Sequence, residues 1–218
     1  MQKNAHIPIF FYNFAPEIAK MTTDTAIVLS LQRHSDRAHI LHTYTRSSGR
    51  VNYLVFGLSS KRKPAAQYAP LSLIEITADN RPDRPLPTLK EANFQGVHPA
   101  NLTNSAYRET VALFISEVLY RTLRHPMQDE ALFRFLEATV RDLYSAEDIH
   151  NVHVRFLIGL ASTLGFGINE EEHPFLMRTA VSREDRQLQL HQLCEYLAEH
   201  IDNFEIPLSL DILSEVFD

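Results

Sequence analysis

Between Ala26 and Pro87 the chain divides into short apolar runs of period two, separated by glycine, proline and charged residues. This pattern confines the first half of the molecule to a small β structure. Residues 25–32, centred on Ala26-Ile27-Val28-Leu29, alternate as a strand does. Residues 38–45 read as a second strand, after a connection holding the turn formers Ser35 and Asp36. Ser47-Ser48-Gly49 is a hairpin loop that leads into a third strand over 50–58. A basic loop over 59–67 precedes a fourth strand at 69–78. Asn80-Arg81-Pro82-Asp83-Arg84-Pro85 is loop by composition, and 86–94 can form a fifth strand.

Beyond Gly96, Pro99 and Asn101 the period changes to three and four. Val111, Phe114, Ile115, Val118, Leu119 and Leu123 define one helix. Leu132, Phe133, Leu136, Val140, Leu143 and Tyr144 define a second, and Phe156, Leu157, Leu160, Ala161 and Leu164 a third, stopped by Gly165. A longer helix begins near Ser182, and a terminal one follows Ser209. The expected fold class is α+β, an N-terminal oligonucleotide-binding (OB) barrel followed by an all-helical domain. Period two alone fits other small barrels equally. The expected division is an N-terminal extension at 1–21, a barrel at 22–95, a linker at 96–102 and a helical domain at 103–218. Met21, just ahead of the first convincing strand, is a candidate start of translation. The run Ile7–Phe14 reads as an extension rather than an export signal, because it contains Pro8 and Asn13.

Charge separates the two halves. The 218 residues carry a net charge of −6, yet residues 21–100 sum to +4 and residues 101–218 to −11. Seven cations, Arg33, Arg37, Arg46, Arg50, Lys61, Arg62 and Lys63, lie between positions 33 and 63 against one acid, Asp36. Cations at strand ends and in loops suit a phosphate backbone, and Tyr44, Tyr53, Phe56 and Tyr68 are candidate stacking faces beside them. Nothing in the pattern reads base edges, so binding indifferent to sequence is expected. Arg121, Arg124 and Arg155 stand among apolar helix positions and are candidates to receive an acidic peptide, with ordinary pairing to Glu117 as the competing reading.

Catalytic signatures are missing from the sequence. There is no phosphate-binding glycine loop, and His34-Ser35-Asp36 are sequence neighbours, which do not make a triad. His34, His39 and His42, and the pair His150 and His153, lack the cysteine or carboxylate partners of a zinc site. The single cysteine, Cys194, sits in a helical pattern as a small core residue, a usage that fits a reducing compartment. No cofactor and no metal are expected. No run of 18 apolar residues suggests a membrane span.

Several motifs follow one another in order. The barrel half holds Ala26-Ile27-Val28-Leu29, Thr45-Arg46 with Gly49-Arg50-Val51, Gly57 ahead of Lys61-Arg62-Lys63, and Pro70-Leu71. The helical half adds Leu132-Phe133 with Phe135-Leu136, Arg155-Phe156 followed by Leu164-Gly165-Phe166, and Pro207-Leu208-Ser209. Together they resemble the bacterial DNA repair protein RecO family, and the resemblance covers roughly residues 25–217. It implies a non-enzymatic recombination mediator that binds single- and double-stranded DNA and anneals complementary strands. It also implies contact with the acidic C-terminal tail of single-stranded DNA-binding protein, partnership with RecR, indirect action on RecA, and a cytoplasmic, nucleoid-associated location. Arg46, Arg50, Lys61, Arg62 and Lys63 would contact DNA, and Arg155 with Arg121 would meet the acidic tail. Many relatives carry a four-cysteine zinc module that this chain lacks, and the segment between Asn169 and Arg183 is short. The alternatives are a barrel that binds only protein, and a hydrolase that a bound metal would reveal.

Overall fold

The computed structural model describes residues 20–58, 65–81, 83–96, 105–145, 149–179 and 182–216. Five strands, β1 (Lys20–Arg33), β2 (Ala38–Thr45), β3 (Gly49–Phe56), β4 (Leu73–Asn80) and β5 (Thr88–Phe94), close a barrel in the order β1-β2-β3-β5-β4. All neighbours are antiparallel except β3 and β5, which meet in parallel at Leu54 and Thr88. Closure is possible because β1 is long. Its first half pairs with β4 from Lys20–Asn80 to Ile27–Leu73, and its second half with β2 from Ala26–Thr45 to Arg33–His39. A bulge at Leu29 lets the strand turn from one partner to the other. β1 starts five residues ahead of the strand expected at 25–32, because Thr22-Thr23-Asp24 are polar and gain their order from the β4 ladder.

Six α-helices follow among the described residues: α1 (Ser105–Thr122), α2 (Glu130–Ser145), α3 (Val152–Thr163), α4 (Pro174–Met177), α5 (Arg183–His200) and α6 (Ser209–Val216). Ser182 caps α5 by accepting a hydrogen bond from the Asp185 N–H at 3.0 Å. The one-turn α4 has too few residues to show a helical period, and sequence reasoning misses it.

Two apolar clusters hold the molecule. The barrel interior contains Ala26, Val28, Leu41, Tyr53, Val55, Tyr68, Ile74, Ile76, Ala78 and Leu89. The larger cluster joins Ile27, Leu29, Tyr44, Leu71 and Leu73 of the barrel wall to Phe114, Ile115, Val118, Phe133, Phe156 and Leu157 of the helices. The middle of β1 is therefore apolar on both faces, Ala26 and Val28 pointing into the barrel and Ile27 and Leu29 onto the helices. A strand covered on both sides reads as a continuous apolar run, which is the run Ala26–Leu29. Cys194 belongs to the larger cluster, and burial pushes its thiol up to about 12, so it is an inert core residue.

Candidate nucleic-acid interface

The cations singled out in the sequence fall into three settings. Arg33 and Arg37 flank the exposed β1–β2 turn, with Arg33 held 2.6 Å from Asp36 in a pair so open to water that it contributes little. Lys61, Arg62 and Lys63 lie outside the described residues. The connection that contains them leaves β3 after Phe56, which pairs with Ala38 at the start of β2, so it departs beside the β1–β2 turn.

Arg46 and Arg50 occupy a different place from the open surface expected of them. Both point from the β2–β3 hairpin onto the helices. The Arg46 guanidinium lies 2.7 Å from Glu137, 3.9 Å from Glu130 and 4.7 Å from the centre of the Phe133 ring. Arg50 stacks 4.4 Å over Tyr120 and donates to the Leu123 carbonyl at 3.4 Å. Burial lowers its pKa from the ordinary value, but a guanidinium stays charged across any working pH. The hairpin is fixed further by Tyr44, whose hydroxyl donates to the Met127 carbonyl at 3.2 Å. Acids of the helical half thus neutralise part of the barrel's positive charge at the seam. Arg50→Met keeps the stem and removes the ring contact and hydrogen bond. It is expected to cost about 1–2 kcal/mol in urea denaturation.

Three of the four candidate stacking aromatics are structural. Tyr53 and Tyr68 fill the barrel, and Tyr44 packs on Phe133. Phe56, 45% exposed at the end of β3, is the one open ring of that set. His42 is buried with its edge on Tyr120, its ring nitrogens 2.7 Å from Asn52 Oδ1 and 3.2 Å from Gln32 Oε1. Burial first, and Arg50 to a lesser extent, lower its pKa, with the Asn52 hydrogen bond opposing them. Among the described residues no group of three or more His, Cys, Asp or Glu side chains is arranged to hold a metal. No helix there is long and apolar enough to cross a membrane.

Arg121 and Arg124 come together with Arg50 and Tyr120 in an open groove of about 540 Å³ at the seam, completed by Glu117 and Glu205. Arg121 bonds Glu117 at 2.6 Å and Glu205 at 2.8 Å, and Arg124 donates to the Asn203 carbonyl at 2.5 Å. Burial alone would raise the Glu117 carboxyl, but hydrogen bonds from Ser209, Arg121 and the Leu208 N–H outweigh it and hold the carboxyl below its usual range. Arg155 is exposed on α3 and does not line this groove.

Sequence reasoning missed a fourth group at the β4–β5 connection. Arg81 donates from Nε to both carboxylate oxygens of Asp79 at 3.1 Å, Lys90 Nζ lies 3.4 Å from the same carboxylate, and Arg84 donates to Thr88 Oγ1 at 3.4 Å. The signal available was the pair Arg81 and Arg84 in a proline-punctuated loop of an OB barrel, where such loops border the ligand face.

The pairing of barrel and helices matches one family in both parts. The family model described as Recombination protein O N terminal matches residues 20–97, and Recombination protein O C terminal matches residues 105–179. The chain belongs to the RecO family. RecO proteins of known assignment resemble it along most of its length. The DNA repair protein RecO of Flavobacterium johnsoniae is 28% identical over 88% of this chain and 97% of its own length. That of Phocaeicola vulgatus is 29% identical with the same coverage, and that of Porphyromonas gingivalis is 28% identical over 88% of this chain and 98% of its own. The two RecO family segments meet at the gap between β5 and α1, where the fold passes from sheet to helix.

Proposed function

We propose that this protein acts in DNA repair and recombination as a RecO-type mediator, a non-enzymatic protein of the cytoplasm and nucleoid. It holds the phosphate backbone of single- and double-stranded DNA on the barrel and anneals complementary strands. The observation that carries this reading is the match of both the barrel and the helices to RecO models, joined to the cations at the barrel's exposed connections. The contact set is Arg33, Arg37, Lys61, Arg62 and Lys63, with Arg46 and Arg50 bracing the hairpin behind it. Backbone contact without base readout lets any complementary pair be annealed. The acidic helical half turns DNA toward the barrel and receives protein partners.

Those partners are RecR and the acidic C-terminal tail of single-stranded DNA-binding protein, through which RecA is loaded. The groove of Arg50, Arg121 and Arg124 supports an acidic peptide, because its cations border an open space. Only the Glu205 side of its pair with Arg121 is open to water, at 81% exposure against 16% for Arg121, so Glu205 is the partner that an incoming carboxylate replaces. Arg155, on another face, is a separate contact.

The test is affinity for mixed-sequence single strands across a salt series. Replacing Lys61, Arg62 and Lys63 together with alanine is expected to weaken binding and to lower the log–log salt slope by about three, one for each phosphate contact. An unchanged slope removes this loop from the interface.

A further inference from the structure

Among the described residues Asp79 is the one carboxylate on the barrel that is removed from water, at 2% exposure, and its surroundings are built rather than incidental. It lies on the outer face of β4, since its neighbour Ala78 points into the barrel. Lys90 reaches it through a bulge. Ala78 pairs with Leu89 and Thr77 with Glu91, so Lys90 has no partner across the ladder and projects outward. Bulges re-aim side chains in this way. Thr88, which pairs with Asp79, also accepts the hydrogen bond from Arg84. Three cations are thereby drawn to one spot, against the buried Asp79 and the exposed Asp83 of the same turn.

The decisive detail is which donors the carboxylate uses. Arg81 spends only Nε on Asp79 and leaves its two terminal amino groups uncommitted to that carboxylate, while its side chain is 40% exposed and that of Lys90 44%. A guanidinium held by Nε presents a rigid fork that matches two phosphate oxygens. We propose that Asp79, Arg81 and Lys90 form a phosphodiester subsite on the barrel, in which Asp79 is a positioning residue and the two cations face a nucleic acid strand. This rests on the DNA-binding reading above and extends it to residues outside that contact set.

The carboxylate makes the test sharp, because charge and geometry predict opposite signs. Removing a negative charge near DNA should tighten binding by simple electrostatics. Loss of the anchor should weaken it. The measurement is anisotropy of a labelled mixed-sequence single strand over a sodium chloride series, with folding checked by thermal melts. Asp79→Asn is expected to weaken binding about fivefold, as is Arg81→Lys, which keeps the charge and loses the fork. Lys90→Ala is expected to lower the salt slope by about one. Asp79→Asn binding as tightly as wild type or tighter, or Arg81→Lys binding unchanged, overturns the subsite. If Asp79→Asn does not fold, Arg81→Lys decides alone. Inorganic phosphate that binds wild type but not Arg81→Lys, at equal ionic strength, and leaves the bound strand in place assigns the fork to free anion and overturns the strand assignment. Wild type that fails to bind the strand at low salt refutes the proposed function itself, a different outcome from wild type and variants binding alike.

Discussion

Gly49→Ala is expected to destabilise the protein by roughly 3 kcal/mol, lowering its melting temperature by about 6–12 °C. Gly49 opens β3 with φ of +66°, a left-handed conformation that costs a side-chain-bearing residue about 1–2 kcal/mol. The larger part comes from contact. A Cβ there would stand 2.1 Å from the Met127 carbonyl oxygen and 2.5 Å from its carbon. Both are backbone atoms, which cannot rotate away. The hairpin must lift from the helices, and with it go the Tyr44 bond to the same carbonyl and the close fit of Arg46 and Arg50. Gly57→Ala is the control. Its φ is +73° and nothing lies within 4 Å of the added carbon, so only the backbone cost of about 1–2 kcal/mol applies. Calorimetric melts of the two variants separate the terms. Equal losses would show that the hairpin does not approach Met127 this closely.

Stability is also expected to fall steeply with acid, through His153. This imidazole is fully buried on α3, edge-on to Phe114, and its pKa is lowered to about 3 by burial first and then by Arg186, His150 and Arg155. The folded protein therefore holds His153 neutral, while the unfolded chain binds a proton near pH 6.5. The unfolded state takes up the extra proton between these values, so the contribution is complete above about pH 6.5, declines as pH falls, and levels off below about pH 3. A shift of this size corresponds to roughly 5 kcal/mol over that window. The paired experiment is urea denaturation at pH 7 and pH 4.5 for wild type and His153→Phe. The wild type should lose markedly more stability on acidification than the variant, and parallel losses would clear His153 of the effect.

Much of the architecture is a local property of the sequence. The strand read at 38–45 matches β2 at both of its ends, and the three-and-four spacing from Val111 to Leu123 marks the core face of α1, because a helix period is set by backbone geometry within a few residues. Ser182 announces α5 by the same local logic, a hydroxyl meeting an N–H three residues on. The order of apolar and glycine motifs was also sufficient to place the chain in its family. The polar start of β1 and the single turn of α4 were illegible because neighbours, not composition, order them.

The candidate interface divides along the same line. That positive charge gathers in the barrel half is a matter of counting, and the sequence alone decides it. Which cations remain available is a matter of what stands opposite each one. Arg46 and Arg50 differ from Arg33 and Arg37 only in that α1 and α2 lie across from them, bringing Glu137, Phe133 and Tyr120 within contact distance from 70 or more positions along the chain. Arg81 and Lys90 converge on Asp79 only because a bulge in β5 turns one of them outward. Electrostatic interaction falls off with distance in space and is blind to separation in sequence, so the chain's order could assign the charges but only the closed barrel and its helical seam could pair them.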